Sequence, residues 1–524
     1  MNCLSSSCKQ CLVRRARRSQ PVQMASQMVR YGTLVIGLFI ICVVFYTIEY
    51  TSVPSGFNIA SIVDRSKLEK VKDIAGRYFQ VSTFNVTNNE LELKGYFNGT
   101  EDTDYIDNKN QTMVVGGLRS FIEEVKPILW KSEKLDQFKL PHQHLFNRDA
   151  NVKEINCQAI IKGDKKELEK AEKLDNESPK VTLSAEYYIN MTSDCSNFIQ
   201  ERGYITDPLT EMEKGFPVAY SLIMYKELEQ SERLLRAIYR PQNYYCVHVD
   251  SKTDESIYKA MCNIANCLDN VFILQDRFDV KWGTMTVLQP ELSCMQELWN
   301  KSSTWKYFIN LTGQEFPLRT NYELVQILQA YDGANDIEAT VKNANKDRWE
   351  GLGTPPHGIV ATKGSVHITA SRGFVDYILH DQRAQDFLNW TAKTKIPDET
   401  FFASLNHNPI LGVPGSYRGL AESDITGDVK PFVTRFKNWG MGQYNWPCRG
   451  QRVRLICVFG TGDLPLLSSR RELFANKFYI DYKRFTLDCM EELHFNHTRD
   501  EYLGKLKFDV RWYSQLGFVS NKIT

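Results

Sequence analysis

Apolar and polar positions change rhythm three times along this chain. Residues 1–31 are hydrophilic, residues 32–48 (GTLVIGLFIICVVFYTI) are uncharged and mostly apolar, and residues 49–150 are polar with little sustained period. From about residue 215, short apolar runs alternate with stretches of helical spacing. Residues 216–225 (FPVAYSLIMY) predict a buried strand, and Leu228, Leu234, Leu235 and Ile238 predict a helix that stops before Pro241. Residues 244–250 (YYCVHVD) predict a second strand, followed by a helix reaching Cys267. Residues 271–275 read as a third strand, 285–299 as an amphipathic helix, 307–313 as a fourth strand and 322–331 as a helix. Strands alternating with helices predict an α/β fold, a mostly parallel sheet with helices on both faces. Such sheets bind ligands at the carboxyl ends of their strands. Asp250 ends a strand, so it is either a ligand contact or the cap of the next helix.

The apolar run is short for a bilayer-spanning helix, at the lower edge of the workable range, with Tyr31, Tyr46 and Tyr50 at or near its ends. Lys9, Arg14, Arg15, Arg17, Arg18 and Arg30 all precede it, and residues 1–48 contain no Asp or Glu. That asymmetry predicts a cytosolic N-terminus. A cleaved signal peptide fits less well, because the leader is long and the run ends in bulky residues followed by Glu49. The expected organisation is a cytosolic tail at 1–31, a signal-anchor transmembrane helix at 32–48, a lumenal stem at 49–150 with room for some helix, and a globular domain at 151–524. The protein would be a single-pass type II membrane protein.

A chain of 524 residues at 42% hydrophobic content can bury a substantial core. The net charge of +1 lacks the basic excess of a nucleic-acid-binding protein. Of 13 Cys, Cys3, Cys8, Cys11 and Cys42 lie in the tail or the span. The first three are open to palmitoylation, metal binding or no modification at all. The other nine read as lumenal disulfides with one left over, since Cys262/Cys267 and Cys448/Cys457 are wrongly spaced for zinc. Nine Asn-x-Ser/Thr sequons follow the run. Asn85, Asn98, Asn110 and Asn190 are the candidate glycan acceptors. Asn310 lies inside an apolar strand-like run and is expected to stay unmodified.

Several signatures are missing: there is no Walker loop, no G-x-G-x-x-G and no G-x-S-x-G. His142 and His144 read as a polar turn. The one Asp-x-Asp, Asp102 and Asp104, falls in the stem, so the globular region lacks a carboxylate pair for a divalent metal. Arg449, Arg452, Arg454, Arg470, Arg471 and Lys477 form a basic stretch around an apolar strand at 456–460. Arg can neutralise a diphosphate bidentately and Lys as a point charge, although most charge runs are solvated faces.

Seven strings carry a specific resemblance: YINMTSDC (188–195), RLLRAIY (233–239), PQNYYCVHVD (241–250), FPLRTNYE (316–323), PDE (397–399), ICVFGTGDL (456–464) and LFANKF (473–478). In these, residues 157–493 resemble the β-1,6-N-acetylglucosaminyltransferases that build core 2 and I-type branches. The resemblance implies a nucleotide-sugar-binding, GT-A-like fold that works without a metal or other cofactor. It places the general base on Glu399, the diphosphate-binding pair on Arg454 and Lys477, and a uridine contact on Asp250. It places acceptor contacts on Glu338, Arg348 and Trp439, with Lys346 reached only through a shifted gap. It also implies the disulfides Cys157–Cys489, Cys195–Cys267, Cys246–Cys294 and Cys448–Cys457, which leaves Cys262 unpaired. Met441 replaces a family aromatic, Thr312 stands where core 2 members often have a free Cys, and the loop at 338–349 is shorter than in branch-forming relatives.

These roles suit the chemistry. An inverting transfer needs one carboxylate to take the acceptor proton, and fixed positive charge where the UDP leaving group develops. The expected function is an inverting transfer of GlcNAc from UDP-GlcNAc to a C6 hydroxyl of an O-glycan on a glycoprotein. The acceptor the resemblance implies is the GalNAc of core 1, at the Golgi membrane. The alternatives are a protein O-xylosyltransferase-like or other UDP-hexose transferase, or a non-catalytic lumenal glycan-binding protein.

Overall fold

The computed structural model describes residues 79–87, 90–97, 142–146, 150–177, 182–340, 344–419, 432–440 and 446–524. The expected signal anchor at 32–48, Asn98, Asn110 and Met441 lie outside them. Among the described residues, no helix is long and apolar enough to cross a membrane. The chain divides into two compact units, residues 1–143 and 144–524.

In the first unit, β1 (Phe79–Thr87) and β2 (Glu90–Phe97) form an antiparallel hairpin, with a register shift between Val81 and Thr83. The stem reading left room for helix: the described residues of 49–150 hold this hairpin and one short helix, Gln143–Phe146. The alternation of Leu91 and Leu93 with Glu90, Glu92 and Lys94 is the period-2 signal behind the hairpin. Asn85 belongs to β1.

In the second unit, the strands in chain order are β3 (Val218–Met224), β4 (Tyr244–Val249), β5 (Val271–Ile273), β6 (Tyr307–Thr312), β7 (Glu315–Pro317), β8 (Ala339–Thr340) and β9 (Lys363–Gly364). They continue with β10 (Thr369–Ser371), β11 (Arg435–Lys437), β12 (Gln451–Val453), β13 (Ile456–Val458) and β14 (Phe474–Asn476). The helices that position the site are α1 (Leu228–Ile238), α2 (Glu255–Asn266), α3 (Gln289–Lys301), α4 (Asn321–Tyr331) and α5 (Arg484–Tyr502). The main sheet runs β10-β6-β3-β4-β5, with β3 parallel to β4 and β6, β5 parallel to β4, and β10 antiparallel on the edge. The chain winds outward from β3 in both directions, which makes the carboxyl ends of β3 and β6 a topological switch point. A smaller sheet, β11-β14-β7, lies beside it.

Both faces of β3 are buried, which explains why its sequence is a continuous apolar run rather than an alternating one. Tyr220, Leu222 and Met224 join the core under α1, α2 and α4, and Ala219 joins the core under α3. A Cβ on Gly313, just past β6, would sit 2.5 Å from Ser231 Oγ, so the bare glycine leaves room for that hydroxyl of α1 at the switch point. The polar side of α1 is buried as well. Arg233 pairs with Asp488 and Glu491 of α5 at 2.6 Å each, and Glu229 pairs with Arg484 at 2.6 Å. Those ion pairs let a helix patterned for the surface pack on two sides.

Four disulfides join Cys157 to Cys489, Cys195 to Cys267, Cys246 to Cys294 and Cys448 to Cys457, and Cys262 is free. These are the pairs the resemblance implies. Cys246 in β4 and Cys294 in α3 are both fully buried, so their bridge fixes a helix to the sheet. Asn310 is 1% exposed, donates to Val366 O at 2.8 Å and accepts from Ile368 N at 2.7 Å. Its amide is committed inside the core. Asn190 is exposed on the helix Ala185–Met191.

Candidate active site

The carboxyl end of β4 delivers Asp250. Its carboxylate accepts from Lys252 N at 2.9 Å, Lys252 Nζ at 2.8 Å and Val280 N at 3.2 Å. It does not cap the following helix, which begins after Asp254. The segment after β5 is laid against this strand end: Ser251 N donates to Phe278 O at 3.0 Å, and Phe278 N donates to His248 Nε2 at 3.0 Å. Burial pushes the His248 pKa down to about 4, so the ring is neutral and Nε2 is free to accept.

The same segment reaches the candidate base. Gly283, at φ +78, accepts from Ile396 N at 3.1 Å. Ile396 is itself left-handed at φ 53, costly for a β-branched residue, and it turns the chain into the one-turn 3-10 helix Pro397–Glu399. Glu399 Oε2 lies 2.6 Å from Arg348 Nη1 and 3.5 Å from Lys363 Nζ. Two further bonds clamp this turn: Lys395 N donates to Arg348 O at 3.2 Å, and Trp349 Nε1 donates to Thr400 Oγ1 at 3.1 Å. Arg348, expected among the acceptor contacts, is therefore ion-paired with the candidate base. Next to it, burial pushes the Asp398 pKa up to about 7, and the Glu399 charge adds to the rise.

Lys363 lies on β9, which pairs with β8 through Thr340. Glu338 immediately precedes β8. A Cβ on Gly364 would sit 2.3 Å from Glu338 O, so glycine is required for this close approach. Glu338 thus joins the group by way of the β8–β9 ladder.

Arg454 and Leu455 form the turn between β12 and β13, both left-handed at φ 50 and φ 71, the twist that suits a two-residue hairpin. The turn presents Arg454 to solvent, with its guanidinium carbon 6.0 Å from the ring centroid of Trp282. Trp439 bridges to Ile456, and Gly440 N donates to Leu455 O at 2.8 Å, which sets Trp439 beside the same turn. Lys477 follows β14, and its carbonyl accepts from Phe459 N at 3.0 Å, tying it to the end of β13.

Arg452, Arg470 and Arg471 of the basic stretch are structural. Arg452 donates to Asn438 O and Leu455 O, Arg470 pairs with Glu472 at 2.6 Å, and Arg471 lies over the Trp512 ring. Among the described residues, neither Arg454 nor Lys477 makes an ion pair. The same holds of the exposed Arg449 among the described residues, so ion pairing alone does not single out those two.

Residues 276–284 link three parts of the site, reaching Asp250 through Val280, Arg454 through Trp282 and the base turn through Gly283. Sequence reasoning missed them, because a loop without periodicity or charge excess gives no signal beyond an isolated Trp. Among the described residues, one group of ligand-type atoms lies close together, Cys448, Cys457 and Asp463. Two of these share a disulfide, and the Asp463 carboxylate accepts from Arg449 N, Gly450 N and Gly460 N at 2.8–3.0 Å. This group holds a turn.

Residues 218–467 match the family model described as Core-2/I-Branching enzyme. Over 402 residues the chain is 37% identical to a Bos taurus beta-1,3-galactosyl-O-glycosyl-glycoprotein beta-1,6-N-acetylglucosaminyltransferase, spanning 72% of this chain and 92% of the relative. A Homo sapiens protein of the same name is 37% identical over 381 residues, 68% of this chain and 87% of its own. A further human relative, numbered 3 under that name, is 34% identical over 363 residues, 64% and 82% of the two chains. The family match takes in Asp250, Glu338, Arg348, Glu399, Trp439 and Arg454. With that coverage, the chain belongs to the core-2/I-branching family of β-1,6-N-acetylglucosaminyltransferases.

Proposed function

We propose that this protein transfers GlcNAc from UDP-GlcNAc, with inversion, to the C6 hydroxyl of the GalNAc in a core 1 O-glycan, forming a core 2 branch. The observation that carries the reading is the Arg348–Glu399 pair, joined through residues 276–284 to the exposed cation Arg454. The chain of contacts supports a reading in which a carboxylate and a diphosphate-binding charge serve one reaction.

The mechanism follows from these groups. Glu399 takes the proton of the acceptor C6 hydroxyl as its oxygen attacks C1 of GlcNAc from the face opposite UDP. The C1–O bond to the diphosphate breaks, and Arg454 and Lys477 neutralise the charge that UDP carries away. Asp250 receives the uridine at the end of β4, and Glu338 and Trp439 hold the acceptor disaccharide. Arg348 holds Glu399 aimed through their ion pair. In this reading the two cations take the part a divalent metal plays elsewhere, so none is required.

The reading also sets the domain in the Golgi lumen, behind a signal anchor at 32–48 and a stem at 49–150. The one-sided positive charge of residues 1–31 and the disulfides, which form in oxidising compartments, support that address. The test is a matrix of UDP-GlcNAc, UDP-GalNAc, UDP-glucose and UDP-xylose against core 1, core 3 and an unglycosylated Ser/Thr peptide. The expected product is a β-1,6-GlcNAc branch on core 1 alone. Transfer of xylose to peptide Ser with none from UDP-GlcNAc overturns the reading.

A further inference from the structure

We propose that the buried carboxylate of Glu315 is a positioning residue joining two halves of the reaction: it holds Lys477 for the diphosphate and the strand of Lys363 beside the base. The inference rests on the proposed transferase reading. Glu315 lies on β7 and is 0% exposed, so it acts only through its neighbours. Its Oε1 accepts from Asn476 Nδ2 at 3.1 Å and from Thr312 Oγ1 at 3.3 Å, and its Oε2 accepts from Arg435 Nε at 2.9 Å. Burial alone would raise its pKa, but the Arg435 charge holds it down at about 2, so the carboxylate stays ionised.

One arm of contacts runs to Lys477. Asn476 immediately precedes it on β14 and is paired in register with Glu315. Phe478 N, immediately after it, donates to Gln314 O at 2.8 Å. Lys477 is thus bracketed by two residues fastened to positions 314 and 315. The other arm runs toward the base. His367 Nε2 lies 2.7 Å from Glu315 Oε1, and His367 Nδ1 lies 3.2 Å from Ser365 Oγ, which accepts from Lys437 Nζ at 2.8 Å. Ser365 directly follows β9, whose Lys363 approaches Glu399 at 3.5 Å. Strands β7, β9 and β14 are two or three residues long and have few ladder bonds to hold their segments. A buried ion pair adds little stability over an apolar core. What a buried polar network adds is one fixed arrangement of the segments it joins.

The test measures UDP and uridine affinity and kcat on the full-length wild type, E315Q, N476A and S365A. N476A severs the arm to Lys477 and is expected to weaken UDP roughly five- to twentyfold, while uridine, which lacks the diphosphate, stays within about twofold. On a K477A background, N476A should add less than about twofold, because the residue it acts through is gone. S365A severs the arm to the base and should lower kcat roughly three- to tenfold, with UDP affinity within about twofold of wild type. E315Q should show both losses. A carboxylate that only stabilised the fold would lower the melting temperature and leave UDP affinity and kcat unchanged. That result, equal weakening of UDP and uridine in N476A, or a wild-type kcat in S365A overturns the proposal. Should E315Q fail to fold, N476A and S365A decide by themselves. Should the wild type bind UDP but transfer no GlcNAc, the transferase reading fails, and the UDP affinity of N476A still decides the arm to Lys477.

Discussion

Arg348 Nη1 lies 2.6 Å from Glu399 Oε2, and Lys363 Nζ approaches the same oxygen at 3.5 Å. Both cations are on Oε2, which leaves Oε1 as the oxygen for an incoming hydroxyl. The pair therefore orients the base as well as neutralising it.

Removing that orientation should act on the chemical step. R348A is expected to lower kcat by roughly 10- to 100-fold, the range for losing one charge-assisted hydrogen bond at a reacting group. R348K should recover part of it, since Lys supplies the charge without the planar fork. Steady-state kinetics with varied acceptor separate the effects. An unchanged kcat with only acceptor KM raised would make Arg348 an acceptor ligand instead.

The disulfides should divide into a stabilising one and a site-shaping one. Cys157–Cys489 closes a loop of 332 residues and Cys448–Cys457 one of 9. Loop-closure entropy gives about 5–6 kcal/mol for the first and about 2–3 kcal/mol for the second. The short loop contains Arg454. C157A/C489A should therefore lower the melting temperature far more than C448A/C457A, while the latter raises donor KM more. Equal thermal losses with no kinetic difference would contradict this.

Asp336 gives stability a pH slope. Its buried carboxyl is pushed up to about 8, against about 3.9 in an unfolded chain, and it accepts from Val433 N at 3.0 Å. The folded state therefore holds a proton that the unfolded state releases. The stabilisation is complete below pH about 4 and is lost as pH rises through about 8. D336N, which cannot ionise, should show a flatter fall in midpoint denaturant concentration between pH 5 and 8.5. A steeper fall than wild type would refute the assignment.

Asn310 should carry no glycan, and glycopeptide mass spectrometry of protein from a secretory host should find it unmodified. N310A should cost about 1–3 kcal/mol, since Val366 O and Ile368 N lose their partner inside the core. Asn190, exposed, is the comparison site.

Strands β3, β4 and β6 were legible because burial on both faces writes long apolar runs. The amphipathic spacing of α1 and α4 was equally plain. The helix expected at 285–299 begins later, at Gln289, because Met285–Val287 forms a separate 3-10 turn ahead of Pro290. The strands β7 to β14 are two or three residues long, and apart from β13, legible as the apolar run at 456–460, they are too short for any period to register. They carry much of the site, with Lys363 on β9 and Arg454 and Lys477 at strand ends. Asp250 was a candidate from its strand end and Arg454 from the basic stretch, but Glu399 and the separate roles came only from resemblance, because the contacts between these segments run through left-handed turns and residues 276–284. The Arg348–Glu399 pair, 51 residues apart, left no local trace.

The most direct test of the central claim is single-turnover transfer by E399Q alongside its affinity for UDP-GlcNAc. The prediction is a loss of transfer of about 100-fold or more, with donor affinity within about twofold of wild type. Transfer at the wild-type rate would contradict the assignment of Glu399 as the base.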